Sequence, residues 1–298
     1  MENKFLVLSS SSLGYSLYNF DNGKEILSKP RNKMFYIDNT PISIGDYVSI
    51  DDDNNIIKIL PRINKLQRPN VSNIDIALTI ISAKEPNFSS FLLDKYLTIN
   101  NAYHIKSVIV ISKVDLLKNS ELKKLKTRMS YYEKIGYNVI YLDNYNKDES
   151  FYKLIDLIKD KIVCLIGQTG VGKSSFLNLL DDNLKRKVDA NSKIYGRGRH
   201  TTKEIKIFKT DYCFIFDTPG FSSLDIDFLK PIDIAHHFPG YESFFSNCKY
   251  NDCLHDNVKL DCQILKKVSE DFLSSDSYQN YVKILQEVKS FDVWKKKI

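Results

Sequence analysis

The chain has 298 residues, 43% of them hydrophobic and 27% charged, and its 43 Lys and Arg against 37 Asp and Glu give a formal net charge of +6. That length exceeds what one core usually serves, so two or three domains are expected, and the ordinary composition excludes a disordered or fibrous chain. No apolar run approaches the roughly 20 residues that span a bilayer, so no membrane partner is expected, and the small positive charge is a mild pointer to an anionic one.

The opening MENKFLVLSSSSLGYS has only a short apolar core, shorter than that of a signal peptide. A cytoplasmic protein is therefore expected, with its five cysteines reduced or metal-bound rather than paired. Residues 1–65 hold short alternating runs, KFLVL, YSLYNF, YVSI and IIKIL, separated by turn-rich pieces such as Asp21-Asn22-Gly23 and Gly45-Asp46. Close spacing without a helical period predicts a small all-β barrel or sandwich, and the pattern alone leaves an OB-fold and an SH3-like barrel both open. LPRINKLQRPN (60–70) reads as a linker.

From about residue 72 strands and helices alternate. Apolar runs at 74–82, 108–112, 139–142, 162–166, 205–208 and 213–216 predict strands, and helices are expected at about 90–103, 120–134, 150–160 and 173–181. This is the pattern of an α/β domain with a mostly parallel sheet. EIKIFKTDYCFIFD reads as a hairpin, which adds one antiparallel strand.

VIVISKVDLL ends one strand with Ser112-Lys113-Val114-Asp115. A carboxylate at such a tip can accept two hydrogen bonds from guanine, from its ring N–H and its exocyclic amine, and adenine offers neither donor. Bonds to a charged partner are worth roughly 1.5–3 kcal/mol each, enough for hundreds-fold selectivity. Lys113 would lay its stem along the base.

Some fifty residues later, Gly167-Gln168-Thr169-Gly170-Val171-Gly172-Lys173-Ser174 matches the full phosphate-loop pattern between a strand and a helix, and Ser175 follows it. Its backbone N–H groups and the helix N-terminus suit a phosphate. Lys173 would reach the β/γ-phosphates as a catalytic cation, and the Ser174 hydroxyl would ligate Mg²⁺. YGRGRHTTKE (195–204) supplies Thr201 or Thr202 to close over the metal. FIFDTPGF places Asp217 at a strand end as an outer Mg²⁺ carboxylate, with the Gly220 N–H free for the γ-phosphate.

In an ordinary GTPase the phosphate loop precedes the base-reading loop. Cutting such a sheet before its fourth strand and joining the old ends gives the order found here, with all six strands present once. The chain reads as a circularly permuted GTPase.

After about residue 225 no strands are expected. Cys248-x4-Cys253-x-His255-x6-Cys262 offers three thiolates and one imidazole, a closed tetrahedral set that suits one structural Zn²⁺. Cys164 and Cys213 lie inside predicted strands as packing residues, and the spacing of His236 and His237 argues against their being ligands. Helices are expected at about 263–272 and 277–291, the second burying Tyr281, Ile284, Leu285 and Val288 on one face.

SKVD, GQTGVGKSS, GRGRHTT, DTPGF and the cysteine cluster, in this order, resemble the ribosome small-subunit-dependent GTPase A (RsgA) family over essentially the whole chain. The resemblance implies an N-terminal OB-fold (1–65), a permuted α/β GTPase domain (66–225) and a C-terminal helical zinc domain (226–298). It implies a monomer that hydrolyses GTP under stimulation by the small ribosomal subunit during late assembly, in contact with rRNA.

Three features depart from the family's pattern. Ser112 stands where Asn is usual, and a hydroxyl offers fewer contacts than an amide. No small-residue loop completes the base pocket in VIYLDNYNKD, and ISAK at 81–84 ends the wrong strand for that role. The spacing before Cys262 is one residue longer than usual.

Phe221 follows DTPG where many GTPases place a water-orienting Gln, so intrinsic turnover should be slow. By the resemblance His200 is the catalytic candidate; the alternative is an exposed loop residue or one that touches RNA. Two other function classes compete, a GTP-dependent binding module with vestigial hydrolysis and an ATP-using P-loop enzyme, against which Asp115 argues.

Overall fold

A computed structural model describes residues 4–31, 36–37, 40–66, 69–143, 146–181, 205–217, 226–256 and 261–295. The chain divides into two units, Met1–Ile76 with Tyr145–Leu165 and Lys173–Phe221, and Ala77–Asn144 with Ile166–Gly172 and Ser222–Ile298.

In the first unit, β1 (Phe5–Ser11), β2 (Gly14–Asn19) and β3 (Glu25–Pro30) are followed by a minimal ribbon, β4 (Tyr36–Ile37) with β5 (Thr40–Pro41), and then by β6 (Tyr47–Ile50) and β7 (Asn55–Ile59). The order β1-β2-β3-β7-β6, with β6 pairing back onto β1, closes a five-stranded barrel. β3 and β7 run parallel and the other barrel pairs antiparallel. Numbered among the barrel strands alone this is 1-2-3-5-4-1, the OB-type arrangement that patterning had left open. Phe5, Val7, Tyr15, Leu17 and Val48, all buried, share its inner face through the cross-strand pairs Phe5–Val48 and Val7–Leu17. β3 has no counterpart among the predicted runs because only Ser28 of its six residues is buried, and Leu27 points outward.

The stretch read as a linker is firmly held. Arg62 donates through Nε and Nη2 to the fully buried Asp46 carboxylate, each at 2.7 Å, and Ser72 Oγ donates to it at 2.6 Å. The short pair β8 (Lys65–Leu66) and β9 (Val71–Ser72) follows. β13 (Ile162–Ile166) and β15 (Phe214–Asp217) are parallel, and β14 (Lys206–Lys209) with β15 forms the expected antiparallel hairpin. β14 also meets β1, at Ser9 and Lys206. Cys164 and Cys213 are fully buried, as packing residues should be.

The second unit holds β10 (Ile76–Ser82), α1 (Ser90–Ala102), β11 (Lys106–Ser112), α2 (Asn119–Lys134) and β12 (Asn138–Leu142), with strand order β12-β11-β10 and β11 parallel to β12. All seven residues of β10 are buried, as in a strand covered on both faces. In the first unit α3 (Glu149–Ile158) precedes β13, and α4 (Lys173–Leu180) follows the phosphate loop.

Among the described residues after β15 there are helices and no strands: α5 (Pro231–His237), α6 (Gln263–Ser269) and α7 (Ser275–Lys295). The predicted stripe of Tyr281, Ile284, Leu285 and Val288 is buried. The first turns of the same buried face tie α7 to α1 by polar groups, since Ser277 and Asn280 precede Tyr281 and Ile284 by four residues each. Asp94, fully buried, accepts from Tyr132 Oη at 2.8 Å, Asn280 Nδ2 at 2.8 Å and Ser277 Oγ at 3.2 Å. Among the described residues no cation offsets its charge at hydrogen-bond range, and burial pushes its pKa up to about 7. No helix is long and apolar enough to cross a membrane among the described residues.

Candidate functional site

The Ser112–Asp115 loop, expected to read the base, forms where β11 runs out. Lys113 adopts a left-handed conformation (φ +58°), and Val114–Leu116 close a single 3-10 turn through Leu116 N–H to Lys113 O and Leu117 N–H to Val114 O. The turn leaves Asp115 exposed, and among the described residues its carboxylate has no hydrogen bond or ion pair. An acceptor held open in this way can take two donors from a base.

The phosphate loop lies against this one. Ser112, buried, donates its hydroxyl to the carbonyl of Val171 at 2.6 Å, and its own carbonyl accepts from Ala83 N–H at 2.9 Å. Loops some fifty residues apart in sequence, and in the reverse of the usual order, are thus brought to one place. At Gly167 a Cβ would run into the backbone carbonyl of Ile80, so only glycine fits, and Gly170 (φ +84°) supplies a left-handed turn. Gln168 is half-buried, Thr169 is exposed and Val171 is buried. Gly172 ends the loop.

Lys173 opens α4, with Ser174 exposed and Ser175 half-buried beside it. Burial holds the Lys173 ammonium below its usual pKa, so an anion brought to it would regain charge interaction that water no longer supplies. Asp217 ends β15, where its backbone faces Lys206 across the hairpin. His200, Thr201, Thr202, Gly220 and Phe221 lie outside the described residues.

One contributor has no signal in the sequence. ISAK and the two residues after it belong to β10 and its following turn, and this stretch touches both loops. Sequence order counts strands but does not show which neighbouring turn leans across.

The second candidate centre is the Cys248, Cys253, His255 and Cys262 set, whose donor atoms all lie within 4.8 Å of one another. His255 Nδ1 is 3.3 Å from Cys262 Sγ and 3.7 Å from Cys248 Sγ, and the two sulfurs are 4.0 Å apart. A tetrahedral Zn²⁺ with its usual bond lengths requires donor separations of roughly 3.5–3.8 Å, so the set fits such an ion. All four residues are buried.

Burial pushes the Cys262 thiol up to about 12, with Cys248 and Cys253 adding to the shift, and raises Cys253 as well. Burial also holds His255 down to about 4, which keeps its imidazole neutral. The Cys253 and Cys262 thiols, held towards the protonated form by burial beside a neutral imidazole, belong to a donor set that a divalent cation would convert to thiolates. α7 supports the loop, with Tyr278 Oη donating to His255 O at 3.0 Å and Tyr281 Oη donating to Leu254 O. His236 stacks on Phe245 and His237 packs against His104, and neither belongs to the cluster.

A family model described as RsgA GTPase matches residues 59–227. The small ribosomal subunit biogenesis GTPase RsgA of Lactobacillus johnsonii is 40% identical over 249 residues, 82% of either chain. RsgA 1 of Listeria monocytogenes is 37% identical over 277 residues, 92% of this chain and 94% of that one. Among solved structures, YjeQ from Thermotoga maritima aligns with a TM-score of 0.81 at 28% identity, over 96% of this chain and 98% of that one. YloQ, described as a circularly permuted GTPase, aligns with a TM-score of 0.78 at 29% identity, over 97% and 95%.

Proposed function

Because this chain belongs to the RsgA GTPase family, we propose that its GTP hydrolysis is stimulated by the small ribosomal subunit in late assembly of that particle, with contact to rRNA. The observation that carries the nucleotide reading is the Ser112–Val171 hydrogen bond, which sets a base-reading loop against a phosphate loop. In this reading Lys113 and Asp115, with Ser112 and Val114 shaping the turn, take guanine. Gly167 to Ser175 take the phosphates, with Lys173 as the catalytic cation.

Mg²⁺ would be held by Ser174 and one of Thr201 and Thr202, backed by Asp217, with Gly220 facing the γ-phosphate. Zn²⁺ would be held by the three cysteines and His255, and would supply a fixed structural centre. The protein would act as a cytoplasmic monomer in three functional parts, 1–65, 66–225 and 226–298. The names of the relatives support the ribosomal partner, and the buried donor set supports zinc.

His200 is the proposed activating residue, because Phe221 cannot orient water. The same Phe221 favours a second reading, a GTP-dependent switch module that binds the subunit but scarcely hydrolyses.

Turnover of GTP should be measured alone and with purified small subunits, with ATP as control and His200→Ala as a second protein. GTP-selective stimulation that is lost in the variant supports the reading. Nucleotide-dependent subunit binding without stimulation favours the switch module, and the absence of both removes the ribosomal partner.

A further inference from the structure

The turn after β10 makes two hydrogen bonds with the Ser112–Lys113 segment and lies close to the phosphate loop. Ala83 N–H donates to the Ser112 carbonyl at 2.9 Å, the Lys113 ammonium donates to the Glu85 backbone carbonyl, and the Pro86 ring approaches Gly170, where a Cβ would sit 3.8 Å from Pro86 Cδ. The turn is itself braced, since Ser82 Oγ donates to Lys84 O at 2.5 Å and accepts from Lys84 N–H at 3.3 Å.

Backbone conformation marks both ends of the central contact. Glu85 and Lys113 both occupy the left-handed region, with φ of +56° and +58°. Neither is glycine or asparagine, the residues that adopt it readily, and such outliers persist only where the surroundings over-determine them. Here two of them face each other, one giving the carbonyl and the other the ammonium. A free lysine stem samples many rotamers. This one is fixed at its root by the left-handed turn and at its tip by Glu85, two residues before an Asp115 left open.

We propose that Ser82–Pro86 is a positioning element for guanine-nucleotide binding, in which the Glu85 carbonyl presets the Lys113 stem so that the base meets an ordered surface. The inference rests on the reading of Lys113 and Asp115 as the base site. The Glu85 side chain is exposed and takes no part, because only its backbone carbonyl is used.

The test compares two substitutions that both remove the carboxylate. Glu85→Gly tolerates the left-handed turn and Glu85→Val disfavours it. Stopped-flow displacement of a fluorescent GDP should show dissociation roughly tenfold faster for Glu85→Val, in line with loss of a hydrogen bond to a charged donor, and within about twofold of wild type for Glu85→Gly. The loss should be equal for GDP and for IDP, which lacks the exocyclic amine, because the stem meets the face of the base and not its edge.

Lys113→Met keeps most of the stem but not the ammonium, and should lose the same factor. Combining it with Glu85→Val should then cost nothing more. This cycle stays informative even where the valine variant melts early. Equal losses in the glycine and valine variants, unchanged dissociation in Glu85→Val, or multiplicative losses in the double variant would each overturn the proposal. Asp115→Asn separates the two layers: if it leaves guanine preference intact, the base-site reading fails and takes this inference with it.

Discussion

The nucleotide loops and the cysteine–histidine cluster are built in opposite ways. At the loops, Asp115, Thr169, Gly170 and Ser174 are exposed, the turns are left-handed, and the hydrogen bonds that hold them come mainly from backbone carbonyls. At the cluster, all four donor side chains are buried and already within 4.8 Å of one another, and two tyrosine hydroxyls brace the connecting backbone. Open polar groups cost little while solvated, so a ligand can leave and return. Buried thiols and an imidazole without an ion are poorly compensated, so the second site is suited to a ligand that stays. Exposure thus distinguishes an exchanging site from a resident one in a single chain.

The largest effect should come from breaking the resident site. Cys253→Ser should abolish binding of one zinc per chain, measured by metal analysis. Hydrogen exchange should show loss of amide protection across 245–269, because structural zinc contributes on the order of 10 kcal/mol to small sites. Guanine-nucleotide affinity should stay within a few-fold of wild type. A zinc-free variant with unchanged protection would mean that the cluster is ordinary core and would dissolve the contrast.

At the exchanging site, Asp115→Asn should exchange partners without loss of fold. An amide donates where the carboxylate accepts, so GDP affinity should fall by a factor of hundreds, from two lost charged hydrogen bonds of roughly 1.5–3 kcal/mol each. Xanthosine diphosphate, which presents a carbonyl in place of the amine, should gain. Equilibrium titration with both nucleotides checks this, and melting temperature should hardly change because Asp115 is exposed.

The two sites also differed in how far they could be read before folding. The cysteine spacing singled out the four side chains that the fold brings together, because sulfur and imidazole at such intervals have few other uses, and the extra residue before Cys262 did not take it out of the set. β10, β11, β13 and β15 were legible because each is a buried apolar run, whereas β3 of the barrel was not, because it faces solvent with little apolar signal. The anchoring turn at Glu85 was illegible for another reason. Its contact is made by a backbone carbonyl, which every residue has, so no side-chain pattern marks it. Asp94 was missed likewise, since one carboxylate in a helix reads as solvated until its three donors are known.

Asp94 offers a smaller test, of whether buried polar groups without an ion behave like the cluster. Its folded pKa of about 7 lies above the ordinary aspartate value, so between roughly pH 4 and 7 the folded state binds the proton and the unfolded state does not. This contribution to stability is therefore full below about pH 4, declines as pH rises to about 7, and is constant above that. Urea unfolding should show wild type less stable at pH 8 than at pH 6 by on the order of 1 kcal/mol from this group. Asp94→Asn, whose amide is always neutral, should lack that part of the slope. Identical slopes in the two proteins would mean that Asp94 is charged throughout and compensated by its three donors.

The smallest expected effect bears on the joint within the open site. Ser112→Ala removes one hydroxyl and leaves the Val171 carbonyl without that donor in a buried position. The cost should be about 1 kcal/mol, or roughly fivefold in GDP affinity. Since Ser112 touches the phosphate loop and not the base edge, the GTP-to-ATP preference should be unchanged while both affinities fall together. This outcome would separate the two jobs proposed for the Ser-Lys-Val-Asp segment, Asp115 choosing the base and Ser112 holding the loops in register. A fall in selectivity alone would place Ser112 at the base instead. Unaltered affinity would show that the loops keep their register through Ala83 and Glu85, which makes the backbone contacts of the β10 turn sufficient.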